Sequence, residues 1–274
     1  RPVRVRDLAF PGQPKPALFS TGEKPRSYTI CFPVSFSSPV TKGRSLGVAL
    51  PRIGQNWAVY FNGTLVRSEV HLSKSGQIIR ERSMRDQVVE IPPALVREGS
   101  NMLSFRIVGD PTTERTGFYN VSGYTVDRYL SLLHPLSGYL DAVLIGIYFF
   151  FGLYHFVLFA WRRREKFNLT FSVTSTLIAV YFLTRTSLPY MFVSDTRLIQ
   201  YVELSSVMLA VAVFVIFLER IIHDRISIAA WGYFAFSVAC AAVSAVFPRG
   251  AVFVWQASLA VAFPYVIIVD IMIP

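Results

Sequence analysis

Cysteine is nearly missing: Cys31 and Cys240 are the only two in 274 residues. They fall in stretches of opposite character, one strand-patterned and one deeply apolar, so they are not expected to pair and no disulfide framework is available. No Cys-x-x-Cys and no Cys/His cluster offers a metal site. Charge is scarce too, at 16% of residues, where a soluble domain carries about a quarter. The four histidines, at 71, 134, 155 and 223, are far apart. There is no GxSxG elbow, HExxH motif, P-loop or GxGxxG turn. Acids of the first half sit beside arginines, as in Arg80-Glu81-Arg82, which argues against a free carboxylate pair for glycoside hydrolysis. No catalytic residue, cofactor or metal is therefore assigned. Arg1 stands at the start without Met and without a cleavable leader pattern. The expectation is that a signal peptide has been removed, or that the sequence begins late.

Hydrophobic residues stand where charge is lacking. Residues 138–274 hold 9 Lys/Arg and 7 Asp/Glu, against 18 and 10 in residues 1–137. Five long apolar runs occupy the second half, at residues 140–161, 167–188, 198–218, 226–247 and 251–273. Each is near the roughly 20 residues a helix needs to cross a bilayer. Residues 138–274 are thus expected to form a polytopic α-helical transmembrane bundle. The densest basic loop of this half is Arg162-Arg163-Arg164-Glu165-Lys166, which the positive-inside rule places in the cytoplasm. By alternation the loop 219–225, also basic, lies on the same side, and residues 1–137 lie outside. Five spans would leave the chain inside at Pro274, so more helices and a soluble domain are expected to follow it. The cations of residues 1–137 are scattered rather than gathered into a stripe. Nucleic acid is excluded as a partner, and membrane lipids or anionic glycans suit the charge better.

Four polar side chains fall within spans: His155, Arg185, Glu203 and Asp270. Intramembrane charge faces a partner or a cavity, or reaches to the interface. Arg185 and Glu203, near the outer ends of their spans, are expected to snorkel or to pair. Asp270, near an inner end, is expected to snorkel. His155 is expected to make an interhelical hydrogen bond. Pro264 should kink the fifth span. Small residues along the fourth span, from Ala229 to Ala242, favour close packing.

Residues 1–137 have no helical period. Short apolar runs broken by Pro, Gly, Asn and Ser predict strands at 28–36, 45–50, 57–61, 64–69, 87–91 and 101–108. Asn62-Gly63 joins two of them and is the strongest short hairpin signal, since both positions of a type I′ turn need positive φ. The spacing predicts an extracytoplasmic β-sandwich or jelly roll. A ligand held there would need an aromatic to stack on and polar groups to orient it. The aromatic candidates are Trp57, Tyr60, Tyr119 and Tyr124. The polar ones are Arg67, His71, Arg82 and Arg115. The commoner role for Trp57 and Tyr60 is packing inside the sandwich. The charged stretch 71–86 is the loop best suited to recognition.

Two pieces of this half carry a resemblance. One is the Tyr60-Phe61-Asn62-Gly63 hairpin; the other runs through Pro92, Pro93, Leu95, Gly99, Asn101 and Leu103. Together they resemble the galactose-binding-like jelly rolls found beside glycoside hydrolases. Further on come Gly117-Phe118-Tyr119, Gly123-Tyr124-Thr125-Val126-Asp127-Arg128-Tyr129, then Gly152-Leu153-Tyr154-His155-Phe156, Trp161 and the Arg-rich turn. With these the whole chain resembles the bacterial seven-transmembrane receptors with diverse intracellular signalling modules. The resemblance implies a periplasmic jelly roll, seven helices in the inner membrane, dimerisation, and a cytoplasmic output domain such as a diguanylate cyclase or histidine kinase. The departure is that only five spans are present, with no output domain. Enzyme activity is left open, because it would lie in the part not seen. The expected function is the sensory portion of a signalling receptor, responding to a small molecule or glycan. The alternatives are a membrane adaptor whose jelly roll docks a partner and, less favoured, a transporter.

Overall fold

A computed structural model describes residues 3–4, 25–36, 45–109, 117–118, 124–133, 136–223, 225–246, 254, 256–258 and 260–261. The chain forms two compact units. One comprises residues 1–136 together with 190–197; the other comprises 137–189 and 198–274.

The first unit is built from β1 (Val3–Arg4), β2 (Arg26–Phe36), β3 (Leu46–Gly54), β4 (Asn56–Phe61), β5 (Thr64–Ser68), β6 (Met84–Ile91), β7 (Gly99–Gly109), β8 (Gly117–Phe118) and β9 (Thr125–Arg128). One antiparallel sheet has the order β1-β9-β3-β6, with β8 paired to β3; the other has the order β2-β7-β4-β5. Except at the β4–β5 hairpin, successive main strands cross from one sheet to the other, which is jelly-roll topology. Alternation makes the core. Leu103, Phe105 and Ile107 of β7 point inward, while Met102, Ser104 and Arg106 point out or lie half-exposed. Trp57, Val59, Phe61, Leu46, Leu50 and Ile91 meet them from the other strands. The six expected strands are β2 to β7. The short β1, β8 and β9 escape sequence reading because two to four residues are too few to show a period.

Asn62 and Gly63 carry φ of 49° and 82°, and Phe61 pairs with Thr64 across them, so the type I′ turn is formed. The Asn62 amide donates to Leu95 O (2.8 Å) and Asn101 Oδ1 (2.9 Å). Buried Asn101 accepts from Arg97 N–H (2.8 Å) and donates to Arg97 O and Gly99 O (2.8 and 3.1 Å). The hairpin and the Pro-Leu-Gly-Asn segment are therefore one hydrogen-bonded assembly.

Among the described residues β2 is an edge strand, and that edge is blunted. Met102 directs both backbone polar atoms to Asn62: its N–H donates to Asn62 Oδ1, and its carbonyl accepts from Asn62 N–H, each at 2.8 Å. Its cross-strand partner is Pro33, which therefore turns its own backbone polar atoms to the free edge. Proline offers no N–H there, so a strand added to β2 would miss a bond.

Helix α1 (Tyr129–Leu132) follows β9. Helices α2 (Leu136–Trp161), α3 (Lys166–Arg185), α5 (Thr196–Ile222) and α6 (Ile228–Val246) are the long ones, and α4 (Pro189–Phe192) is a single turn. Among the described residues, these four long helices have the length and apolar character to cross a membrane. Most of the expected fifth span, 251–273, lies outside the described residues, as does Pro264.

The α2–α3 hairpin packs through Gly152. A Cβ there would meet Thr176 Oγ1 at 2.7 Å and Ser172 O at 3.3 Å, and Ser172 Oγ donates to Gly152 O at 2.8 Å. Gly152→Leu is expected to force the helices apart and cost about 1–3 kcal/mol, read as a lower thermal midpoint in detergent. Gly152→Ala should recover part of that loss when Thr176→Ala removes the obstructing hydroxyl.

Helix α6 turns Ala230, Tyr233, Ser237, Ala241 and Ser244 inward at steps of three and four. Ala229, Gly232, Ala235, Ala239 and Ala242 face outward, so the expected small-residue packing uses only part of that set. Glu219 corrects a boundary. It is not in a loop: α5 continues to Ile222, and the Glu219 side chain is buried. Its carboxylate accepts from Ser227 N–H and Ser227 Oγ, each at 2.7 Å, while Ser227 Oγ accepts from Ala230 N–H at 3.0 Å. Glu219 thus ties the end of α5 to the capped start of α6.

Candidate functional site

The site grows from the connection between β5 and β6. Residues 71–79 form a small hairpin. Leu72 pairs with Ile78, Ile79 N–H donates to His71 O (3.0 Å), and Ser73 N–H donates to Gln77 O (2.8 Å). Buried Asn56 pins both limbs, donating to Arg80 O (2.9 Å) and accepting from His71 N–H (2.6 Å). Beside it, Trp57 Nε1–H donates to Arg82 O (2.9 Å) and Arg82 N–H to Gln55 O (2.7 Å). The connection is therefore a built structure rather than a solvated excursion, because each limb rests on a core strand.

Glu69 gathers two arginines. Arg67 donates to Oε1 through Nη2 (2.8 Å) and Nε (3.1 Å), and Arg82 Nε donates to Oε2 (2.8 Å). The Arg67 guanidinium also lies 5.3 Å from the Trp57 ring centre. Burial works to raise the Glu69 pKa, but the hydrogen bonds and charge of Arg67 and Arg82 outweigh it and hold the carboxyl below its ordinary range. Because the folded-state pKa is depressed, the stabilisation is full above the ordinary glutamate value of about 4.3. It is lost as pH falls through the lower folded value. Thermal midpoints followed from pH 6 to pH 3 should accordingly fall more steeply for the wild type than for Glu69→Gln; parallel slopes would remove Glu69 as a contributor.

The same connection holds a segment more than a hundred residues away. Arg82 Nη1 donates to Ser194 O at 3.1 Å, and Arg197 Nη2 donates to Ile79 O at 3.2 Å. Thr196 is buried. Its N–H and its Oγ1–H both donate to Glu81 O (3.0 and 2.9 Å), and Oγ1 accepts from Ser83 N–H (3.0 Å). Asp195 caps α5, accepting from Arg197 N–H at 3.0 Å. Burial opposes the Asp195 carboxylate, yet side-chain and backbone hydrogen bonds from Arg197 keep its pKa lowered. Tyr190 packs against the sandwich core. Residues 190–197 are in this way part of the β unit, and α5 starts inside it.

The candidate residues take the following places. Trp57 is wholly buried, so its ring has no face for a ligand. Arg67 and Arg82 are engaged with Glu69. His71 lends its backbone to the hairpin and keeps a half-buried side chain. Tyr60 is half-buried in register with Ser104 and Leu65. Tyr124 donates its hydroxyl to Arg52 O and packs edge-on against Phe118. Arg115 and Tyr119 lie outside the described residues, as does Asp270. Within the second unit, His155 Nδ1 is 2.8 Å from Asn168 Oδ1, joining α2 to α3, and its ring lies 4.3 Å from that of Phe171. Arg185 Nη1 is 3.8 Å from Glu203 Oε1 and donates to the Tyr181 hydroxyl at 2.9 Å. Among the described residues no group of three His, Cys, Asp or Glu side chains is placed to hold a metal.

From sequence, no role is assigned to Asn56, Glu69, Asp195 or Thr196, and Glu81 and Ser83 enter only as part of the charged stretch 71–86. Asp195-Thr196 before an apolar run is a helix-start signal, but nothing in it names Glu81 as the partner.

A β jelly roll accompanied, among the described residues, by four helices long and apolar enough to cross a membrane defines a multi-pass membrane protein. Residues 137–273 match the model of the 7TM diverse intracellular signalling family, and the chain belongs to that family. It is the sensory region of a membrane signalling receptor. No curated protein matches the chain.

Proposed function

We propose that the chain senses a small molecule or glycan on the periplasmic side of a bacterial inner membrane, and passes the signal through α5 to a cytoplasmic output domain. The observation that carries this reading is the set of hydrogen bonds joining Thr196 to Glu81 and Ser83. The exposed tip of the 71–79 hairpin, Lys74 to Gln77, is the recognition surface. Binding there shifts residues 79–83, and with them the first turn of α5, between two packings. The orientation is supported by the Arg162–Lys166 turn, the densest basic loop between the spans.

Cys31 is exposed and Cys240 is buried, so the native protein carries its own topology probe. A membrane-impermeant maleimide is expected to label Cys31 in intact spheroplasts; labelling only after lysis would reverse the orientation. Hydrogen exchange on the chain in nanodiscs, with cell-envelope glycan fragments added, tests the relay. Protection of 71–83 should come with altered exchange at 194–200. Protection confined to 71–83 would overturn the route through α5.

A further inference from the structure

Two short helices of the β unit share an arrangement that the sensing role does not explain. Helix α1 sets Tyr129 and Leu132 against β3 at Gly47, where an added Cβ would meet both within 3.2 Å. Its other side leaves Leu130 72% exposed, and Leu133, the residue that follows its last turn, is 44% exposed. Helix α4 does the same. Tyr190 packs into the sandwich core, while Met191 and Phe192 stand 75% and 85% exposed. Each helix is thus held by one face and presents bulky apolar side chains on the other, in a chain with ample polar residues for a water-facing turn.

We propose that Leu130, Leu133, Met191 and Phe192 are two footholds sunk into the headgroup–acyl boundary of the bilayer, so that these two short helices touch lipid. Chain connectivity selects this occupant. Spans alternate in direction, so the start of α2, the end of α3 and the start of α5 share one side of the membrane. Leu132 is four residues before Leu136, Pro189 is four residues after Arg185, and Phe192 is four residues before Thr196. Four extended residues reach at most about 14 Å. The interfacial zone is about 5–8 Å deep on each face of the hydrocarbon core. Exposed Leu, Met and Phe this close to three span ends have lipid within reach, and apolar side chains on one face of a short helix are what the interface accommodates. The inference needs only the membrane spans and holds whichever side the β unit occupies.

Single cysteines at 130, 191 or 192, each in a Cys31→Ser/Cys240→Ala background of the full chain, would be spin-labelled after reconstitution in phosphatidylcholine nanodiscs. Their collision rates with oxygen and with a water-soluble nickel chelate give depth. Position 102, on the exposed sheet face, is the aqueous control. The expected result is an oxygen-to-nickel ratio several-fold higher at 130, 191 and 192 than at 102. Ratios equal to that at 102 would overturn the proposal. Shielding from both reagents would overturn it as well, by showing a protein surface in place of lipid. Should a variant misfold, the wild-type chain labelled by phosphatidylcholine with a diazirine near the top of its acyl chain gives the same decision. Adducts in peptides covering 129–133 and 189–192 support the footholds, and their absence there beside labelled spans refutes them.

Discussion

Arg82→Ala is expected to destabilise the β unit by about 3 kcal/mol and to loosen the first turn of α5. Arg82 and Glu69 are 2.8 Å apart with side chains 12% and 13% exposed. Removing one partner of such a pair leaves the other charge in a poorly solvated place, and losses of about 3–5 kcal/mol are typical for a fully buried pair. The lower end applies because Arg67 still neutralises Glu69. Arg82 also donates to Ser194 O, so two effects should appear together: an earlier unfolding transition and faster amide exchange over residues 194–198. Arg82→Lys tests geometry against charge. It keeps a cation near Glu69 but cannot serve both acceptors with a planar fork, and it should rescue stability more than it rescues exchange protection. If Arg82→Ala unfolds and exchanges as the wild type does, Arg82 is not what holds residues 193–197.

Asn101→Ala is expected to cost about 2–4 kcal/mol, although Asn101 touches neither the 71–79 hairpin nor any span. Four hydrogen bonds converge on its amide. Alanine leaves the Arg97 N–H and one Asn62 donor without their acceptor at a part-buried site, which is a costlier way to lose a hydrogen bond than removing both partners. Asn101→Asp should be no better, since a carboxylate would face the Arg97 and Gly99 carbonyls that the native amide satisfies. Paired with Asn62→Ala, the loss should be less than the sum of the single losses, because the two residues share a bond. Denaturant titration of the four variants reads all of this; additive losses would mean that the two motif pieces are independent.

Local chemistry made much of the architecture readable. Alternation along β7, the Asn62-Gly63 turn and the lengths of the apolar runs each act within one short stretch of chain, about twenty residues at most, and sequence pattern reports such forces faithfully. The jelly-roll fold, though not its strand order, is legible in the resemblance that the hairpin and the Pro-Leu-Gly-Asn segment carry, and the two pieces prove to be joined by a bond between Asn62 and Asn101. The candidate site was far less legible. Trp57, Arg67 and Arg82 have the side chains a ligand site needs, and that same chemistry equally serves a buried ring and a paired carboxylate. Thr196 lies in a short polar link between two apolar runs, and only the fold brings it to Glu81. Glu219 looked like part of a charged turn because its neighbours Arg220, His223 and Arg225 are polar, whereas helix continuation and a bond to Ser227 decide its place.

Helix α5 contains neither glycine nor proline in its 27 residues. At 1.5 Å per residue it is a shaft of about 40 Å with no soft joint. Its first residue is fastened by three hydrogen bonds and, six turns later, Glu219 is fastened by two. On the proposed route, a twist imposed at Thr196 would travel toward Glu219 without a glycine or proline to absorb it. The two 2.7 Å bonds to Ser227 tolerate only a modest change of direction before they weaken steeply. Along that route, a rotation that carried Glu219 beyond that range would release the start of α6.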